Sequence, residues 1–359
     1  MFLKQQRSNE HDGNESTSHK LNINGSNRSN SPQSDTSQSS HIATTQNSDE
    51  STSEEMAPSP EEICMIFQYF NVDWDSRTPI PAPLQVHIDI LMTPLDRCSP
   101  NAKCAANKAP RVRGIGERDP RADLADVLLL KPARNGGHPF LNRIEDIQLC
   151  RNYSPTCIDK IGKQYIFPQA QPDQCFGYIT SRHVDHGDPH PFTKEEEKVL
   201  NEASLHSTMY FPILTAQWKS GAQTHYHAIP QGARDGAVIL NHRSAIFKRA
   251  ACPADQWTTG WACHFSVTID GRTVMVWVHW FDEAKQTYHM ETIDQIFLDY
   301  PDQVSRFRMF LHNLEDFYMG PQLLAFKRAV AALREVVEER SNRRQRTVDL
   351  SNMQAMFGA

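Results

Sequence analysis

Nowhere in the 359 residues is there a run of about 18 uncharged apolar residues, the length a helix needs to cross a bilayer, so no membrane-spanning helix is expected. Phe2 and Leu3 are too short an apolar run for a secretory signal. The protein therefore reads as intracellular, with nucleus or cytoplasm left open. Cysteine pairs at metal-ligand spacing are missing too. The eight cysteines are Cys64, Cys98, Cys104, Cys150, Cys157, Cys175, Cys252 and Cys263. They contain no C-x-x-C, which argues against both a disulfide scaffold and a zinc knuckle. Nor is there a strong basic balance, since the net charge of -6 excludes a global field that would draw in nucleic acid, without excluding a polyanion at a local site. Aromatic and branched residues are nearly absent before about residue 57, where Ser, Asn, Gln, Thr and Glu dominate. Such a segment cannot bury enough surface to offset the entropy of ordering. The expected organisation is a disordered tail over 1–58, a folded domain over 59–340 with its core at about 121–339, and a second tail over 341–359.

Local patterns then divide the domain. Ser59-Pro60-Glu61-Glu62 joins an N-cap serine, a first-position proline and a capping-box glutamate, and predicts a helix over 61–70. Residues 73–121, rich in proline and holding the basic run 108–113, read as a partly extended arm. Apolar spacing predicts a helix over 121–131, stopped by Pro132, and another over 139–150. Strands follow at 165–167 and 174–180, separated by Pro168 and Pro172. Thr193-x-x-Glu196 is a second capping box, opening a helix to about 206. Residues 210–218 read as a buried strand, and the next helix starts near Gln231. Three alternating segments, 261–268, 273–281 and 287–292, form an antiparallel meander, the first two joined by Asp270-Gly271. Two helices close the domain: 302–318, ended by Gly320, and 322–340, with Leu323, Phe326, Val330, Leu333 and Val337 on one face.

The segments that can carry chemistry are Gln171-Pro172-Asp173 and Ala216-Gln217-Trp218-Lys219. Metal-assisted phosphodiester hydrolysis needs at least two hard oxygen ligands, plus a cation to orient water and offset charge on the phosphate. An Asp at the start of one strand and Gln-x-Lys at the end of its neighbour place these groups at one sheet edge. Because the strand period is two, Gln217 and Lys219 share a face and Trp218 turns away.

This order of elements resembles the PD-(D/E)XK nuclease superfamily: helix, strand with Pro-Asp, helix, strand ending in Trp-Lys, then a helix opened by Gln231. It is similar to a fungal nuclease-like domain family within that superfamily. The similarity rests on Pro172-Asp173 followed by Gly177-Tyr178, on Phe211 to Lys219, and on Gln231 with Asp235-Gly236-Ala237, and it covers about 121–339. The resemblance implies an α/β (α+β) restriction-endonuclease-like core, a mixed sheet flanked by helices. It also implies Asp173 as first metal ligand, Gln217 at the second-ligand position, Lys219 as catalytic lysine, Gln231 as a support and Mg²⁺ as the metal. Gln217 is the departure, because an amide oxygen coordinates a hard cation without charge. At about 4 kcal/mol per contact between unit charges, the loss weakens metal affinity roughly a thousandfold. Mrr-like endonucleases resemble this chain in carrying Gln-x-Lys. The expectation is a weakened or inactive phosphodiesterase that binds DNA, RNA or a protein. The alternative is an active Mg-dependent endonuclease using Asp173, Gln217 and Lys219.

Each group also has an ordinary reading. Asp173 after Pro172 suits a turn, Lys219 a solvated strand end, and Gln231 a helix start. Asp123 and Asp126, and after them Glu145, are candidates for a helix-borne acid, but all three read first as ordinary solvated helix acids. His183, His186 and His190 have spacings that a helix would stack, but Gly187 and Pro189 break any such helix, and no zinc site is expected. His225 and His227, read on a strand, fall on one side and face solvent. Trp277 and His279 share a strand face as sheet packing.

Overall fold

The computed structural model describes residues 60–74, 77–94, 100–113, 120–158, 164–184, 188–219, 225–250 and 262–357. The tail expected over 1–58, the Ser59 cap, His186 and Trp261 lie outside the described residues. Among the described residues, no helix is long and apolar enough to cross a membrane.

The core is a seven-stranded mixed sheet flanked by helices, the α/β architecture expected from sequence. Its strands are β1 (Val72–Asp73), β2 (Leu141–Glu145), β5 (Gln174–Ile179), β6 (Met209–Trp218), β7 (Cys263–Ile269), β8 (Thr273–Asp282) and β9 (Thr287–Phe297), in the spatial order β1-β9-β8-β7-β6-β5-β2. Strands β3 (Thr156–Ile158) and β4 (Gln164–Ile166) pair separately. β6 and β7 run parallel. A parallel pair needs a crossover, here α6 (His225–Arg249), a 25-residue helix. The β7-β8-β9 meander is antiparallel throughout, as the alternation and Asp270-Gly271 predict. Gly271 has φ of +79°, which glycine adopts without a Cβ clash.

α1 (Pro60–Tyr69) and α6 cover one sheet face, with Phe67, Phe70, Ala233, Ala237, Trp277 and Met290 buried together. The other face packs against α2 (Ala82–Leu91), α3 (Pro100–Arg113), α4 (Pro120–Leu128), α5 (Lys194–Glu202), α7 (Pro301–Phe317) and α8 (Leu323–Phe357). The Thr193 capping box is complete: its hydroxyl accepts from Glu196 N, and Glu196 accepts from Thr193 N.

Four expectations are corrected. Among the described residues the arm over 73–121 holds three helices, opened by prolines whose missing N–H costs nothing there, Pro83 in α2, Pro100 in α3 and Pro120 in α4, while Pro110 lies inside α3. Ala102, Ala105, Ala106 and Ala109 then form an i, i+3, i+4, i+7 stripe buried in the core. Residues 139–150 hold strand β2 rather than a helix, paired in full with β5 from Leu141 to Glu145. α6 starts six residues before Gln231, so Pro230 lies inside it. On a helix, residues two apart point to different sides, and His225 is half-buried while His227 is exposed. Finally, Gly320 does not end a helix. Pro321 lacks the N–H for an α bond, the chain widens into a π turn over Tyr318–Gln322, and α8 continues to Phe357 without meeting another proline or glycine.

Two local devices fix how α6 lies on the sheet. At a bulge between β5 and β6, Phe211 adopts φ of +44° and Pro212 is tolerated inside the strand. Buried Arg243 of α6 donates to the freed carbonyl of Pro212 and to that of Cys263. Nearer the start of α6, Gly236 meets β8 so closely that a Cβ there would stand 2.2 Å from His279 Nδ1. The His279 ring is pinned by its 2.7 Å bond to Ser266 Oγ and cannot swing away. Gly236→Ala is accordingly expected to cost about 1–3 kcal/mol or more through overpacking. Urea unfolding is the check, and an unchanged midpoint would contradict this packing.

Candidate functional site

The β5-β6 pairing puts Gln174 opposite Ala216, so Asp173, just before β5, faces the last residues of β6. The Asp173 Oδ2 accepts a 2.6 Å bond from Trp218 N. The Trp218 indole Nε1 donates to Gln174 Oε1 at 3.0 Å, and Gln174 Nε2 donates to Glu145 Oε1 at 3.0 Å. Trp218 thereby locks both strand ends. Lys219 continues the ladder, its N–H donating to Ile269 O at 2.8 Å.

Gln217 is buried and points, as the strand period requires, away from Trp218 toward α6. Its Nε2 donates to Asp235 Oδ2 at 2.7 Å and to Gln171 O at 3.2 Å. Both partners are acceptors, which fixes the amide with nitrogen toward α6 and oxygen away from Asp235. Asp235 is fully buried, and its Oδ1 also accepts from Gln171 N at 3.0 Å and from Arg234 Nε at 3.3 Å. An acid of α6 therefore occupies the neighbourhood where β6 offers an amide. Gln231 stands one turn before Asp235 on the same helix face, with a buried Oε1 that has no hydrogen-bond partner among the described residues.

The charges around Lys219 are mixed. Its residue is only 8% exposed, and burial pulls the ammonium below its ordinary pKa. Asp173 and Asp235 oppose that shift, while Arg234 reinforces it. Burial pushes the Asp173 carboxyl up, against the Trp218 N–H, Lys219 and Arg121. Burial also raises Asp235, against Arg234, Gln217 and Gln171. Burial thus moves the lysine down and both carboxyls up, a pattern found at functional sites and in structural ion-pair networks alike.

The structure brings Asp173, Gln217 and Lys219 to one sheet edge and sets Gln231 on the adjoining helix. Asp126 is instead engaged with Arg143 at 2.6 Å on the surface, and Glu145 is taken by Gln174. Lys108 reaches the Asp123 backbone carbonyl at 3.4 Å. His183 is held by Thr180 Oγ1 at 2.8 Å, and His190 bonds Phe192 O at 2.5 Å. Trp277 and His279 do share the α6-facing side, bonded to Thr268 Oγ1 and Ser266 Oγ. Sequence reasoning assigned no role to Asp235 or Arg234. The available signal was an acid, four residues after Gln231, flanked by the apolar runs Gly232-Ala233 and Gly236 to Leu240.

A hard divalent cation fits this donor set poorly. Both oxygens of Asp235 are held by N–H donors, and Gln217 turns nitrogen toward Asp235. Among the described residues, no three His, Cys, Asp or Glu side chains converge as metal ligands.

A family model described as "Domain of unknown function (DUF7924)" matches residues 63–330. No curated protein matches the chain, and no solved structure does.

Proposed function

The chain belongs to the DUF7924 family, and we propose that it is a nuclease-like nucleic-acid-binding protein of the PD-(D/E)XK kind, whose Asp173–Lys219 edge receives a phosphodiester without hydrolysing it. The observation that carries this reading is the 2.7 Å bond from Gln217 Nε2 to Asp235 Oδ2. It engages Gln217, which the resemblance places at the second-ligand position, with Asp235, leaving Asp173 as the one carboxylate toward the edge. The cations there are Lys219 and Arg234, the latter paired with Asp235, and the Lys219 ammonium is the group offered to a phosphate.

The test is binding and cleavage of labelled single- and double-stranded DNA and RNA, with Mg²⁺ or Mn²⁺ present. Binding without cleavage is expected, and Lys219→Ala should weaken it about tenfold or more, as for one charge-assisted contact. Metal-dependent cleavage abolished by Lys219→Ala would overturn the proposal in favour of an active endonuclease. Failure to bind any nucleic acid would sink both readings.

A further inference from the structure

A cleft of about 900 Å³ opens beside β9, apart from the Asp173–Lys219 edge and sharing no lining residue with it. β1 pairs with β9 only at Tyr288 and His289, so the cleft forms where that short edge strand stops. Its walls carry Trp74, Trp277 and Tyr226, together with Asp73, Glu291 and Arg77. Arg77 is exposed, and Asp73 on β1 and Glu291 on β9 are half-buried. Tyr226, in the first turn of α6, is 45% exposed although it is a large aromatic. Trp277 is fixed in place by its 3.1 Å bond to Thr268 Oγ1, and Asp73 lies 3.7 Å from His289 Nδ1.

We infer that this cleft binds a nucleobase bearing an exocyclic amine, with its phosphate toward Arg77. The half-buried Trp74 and the exposed Tyr226 supply aromatic faces on which a flat heterocycle stacks, whatever its sequence. The Asp73 and Glu291 carboxylates repel a phosphate but accept hydrogen bonds from an amino group, as Glu and Asp do from cytosine N4. The exposed Arg77 guanidinium suits the phosphate that the carboxylates repel. A cleft lined by two half-buried carboxylates and an exposed arginine thus offers a group to each end of a nucleotide, and its volume accommodates more than one base. The inference goes beyond the phosphodiester reading and does not depend on Lys219. Thr268 of β7, which holds Trp277, pairs with Gln217 of β6, so one strand separates the cleft strands β8 and β9 from the edge strand β6.

Calorimetric titration of the full chain with AMP, CMP and UMP, and with oligo(dA) and oligo(dT), tests this. AMP and CMP should bind about tenfold tighter than UMP, the discrimination expected of one amino-group contact. Glu291→Gln should erase that preference, and Tyr226→Ala should weaken every base about tenfold through lost stacking. Lys219→Ala should leave mononucleotide binding unchanged, which separates this inference from the proposed phosphodiester edge. Tighter binding of oligo(dA) than AMP identifies a single strand as the source of the base, and equal binding a free nucleotide. No heat from any nucleotide or oligonucleotide at millimolar concentration would overturn the inference. So would capture of tetramethylammonium or a basic peptide in their place, since that would mark a cation cage.

Discussion

Between pH 7 and pH 5 the fold is expected to lose about 6 kcal/mol of stability from three buried histidines. Burial lowers His87 and His242 to about 4 and His279 to about 3. In the unfolded chain each titrates at its ordinary 6.5. Below that value the unfolded state takes up protons that the folded state refuses, so stability falls with pH until each folded pKa is reached. From 6.5 to 5 is one and a half units, or about 2 kcal/mol per histidine. His264, held well below its ordinary range by burial and by Arg243 and His279, adds in the same sense. Asp173 and Asp235 act oppositely, because their raised folded values make the native state bind protons more readily as pH falls toward the carboxylate range. Domains of this kind are stable by about 5–15 kcal/mol, so the histidine loss is a large share. Urea unfolding followed by circular dichroism at pH 7, 6 and 5 reads it directly. A midpoint that stays level across that range would show that these histidines are not buried as the fold has them.

The sequence made the sheet easy to read and the helices before it hard. Alternation in β7, β8 and β9 is a period-two signal, because each strand packs a face on a helix layer. The run from Tyr210 to Trp218 is buried on both sides, and length with flanking residues marked it as a strand. The region of α2 to α4 was misread because proline counts as a breaker wherever it occurs, although Pro100 and Pro120 open helices. β2 was misread because Leu141-Asn142-Arg143-Ile144-Glu145 has only two apolar residues, at a spacing that suits a helix as well as a strand. Its strand character comes from the ladder with β5, a contact that no local window contains. The site divides the same way. Strand parity and the Pro-Asp turn put Asp173, Gln217 and Lys219 at one edge. The partner of Gln217 is 18 residues further along, on the crossover helix α6, and only the packing of that helix on the sheet brings Asp235 to it.

That partnership makes Gln217→Glu the substitution with the sharpest expected outcome. A strand acid is what the resemblance to PD-(D/E)XK nucleases asks for at this position, and on sequence alone the exchange would be expected to restore a metal ligand. With Asp235 Oδ2 only 2.7 Å from the Gln217 nitrogen, the exchange instead sets two buried carboxylates in contact and turns an acceptor toward Gln171 O. Leaving a buried charge without compensation costs about 3–5 kcal/mol. The cost should shrink between pH 7 and pH 5, because two carboxyls in contact share a proton and one of them titrates far above its ordinary value. Gln217→Glu alone is therefore expected to unfold at lower urea concentration and to show no cleavage. Gln217→Glu combined with Asp235→Asn moves the charge from helix to strand and restores a donor–acceptor pair, the asparagine amide now donating. Unfolding midpoints of the parent, both single variants and the double variant form a thermodynamic cycle. Recovery of more than half the loss in the double variant is expected if the two side chains form one hydrogen-bonded unit. Simple addition of the two single effects would show that Gln217 and Asp235 act apart, and the ground for a non-hydrolysing edge would go with it.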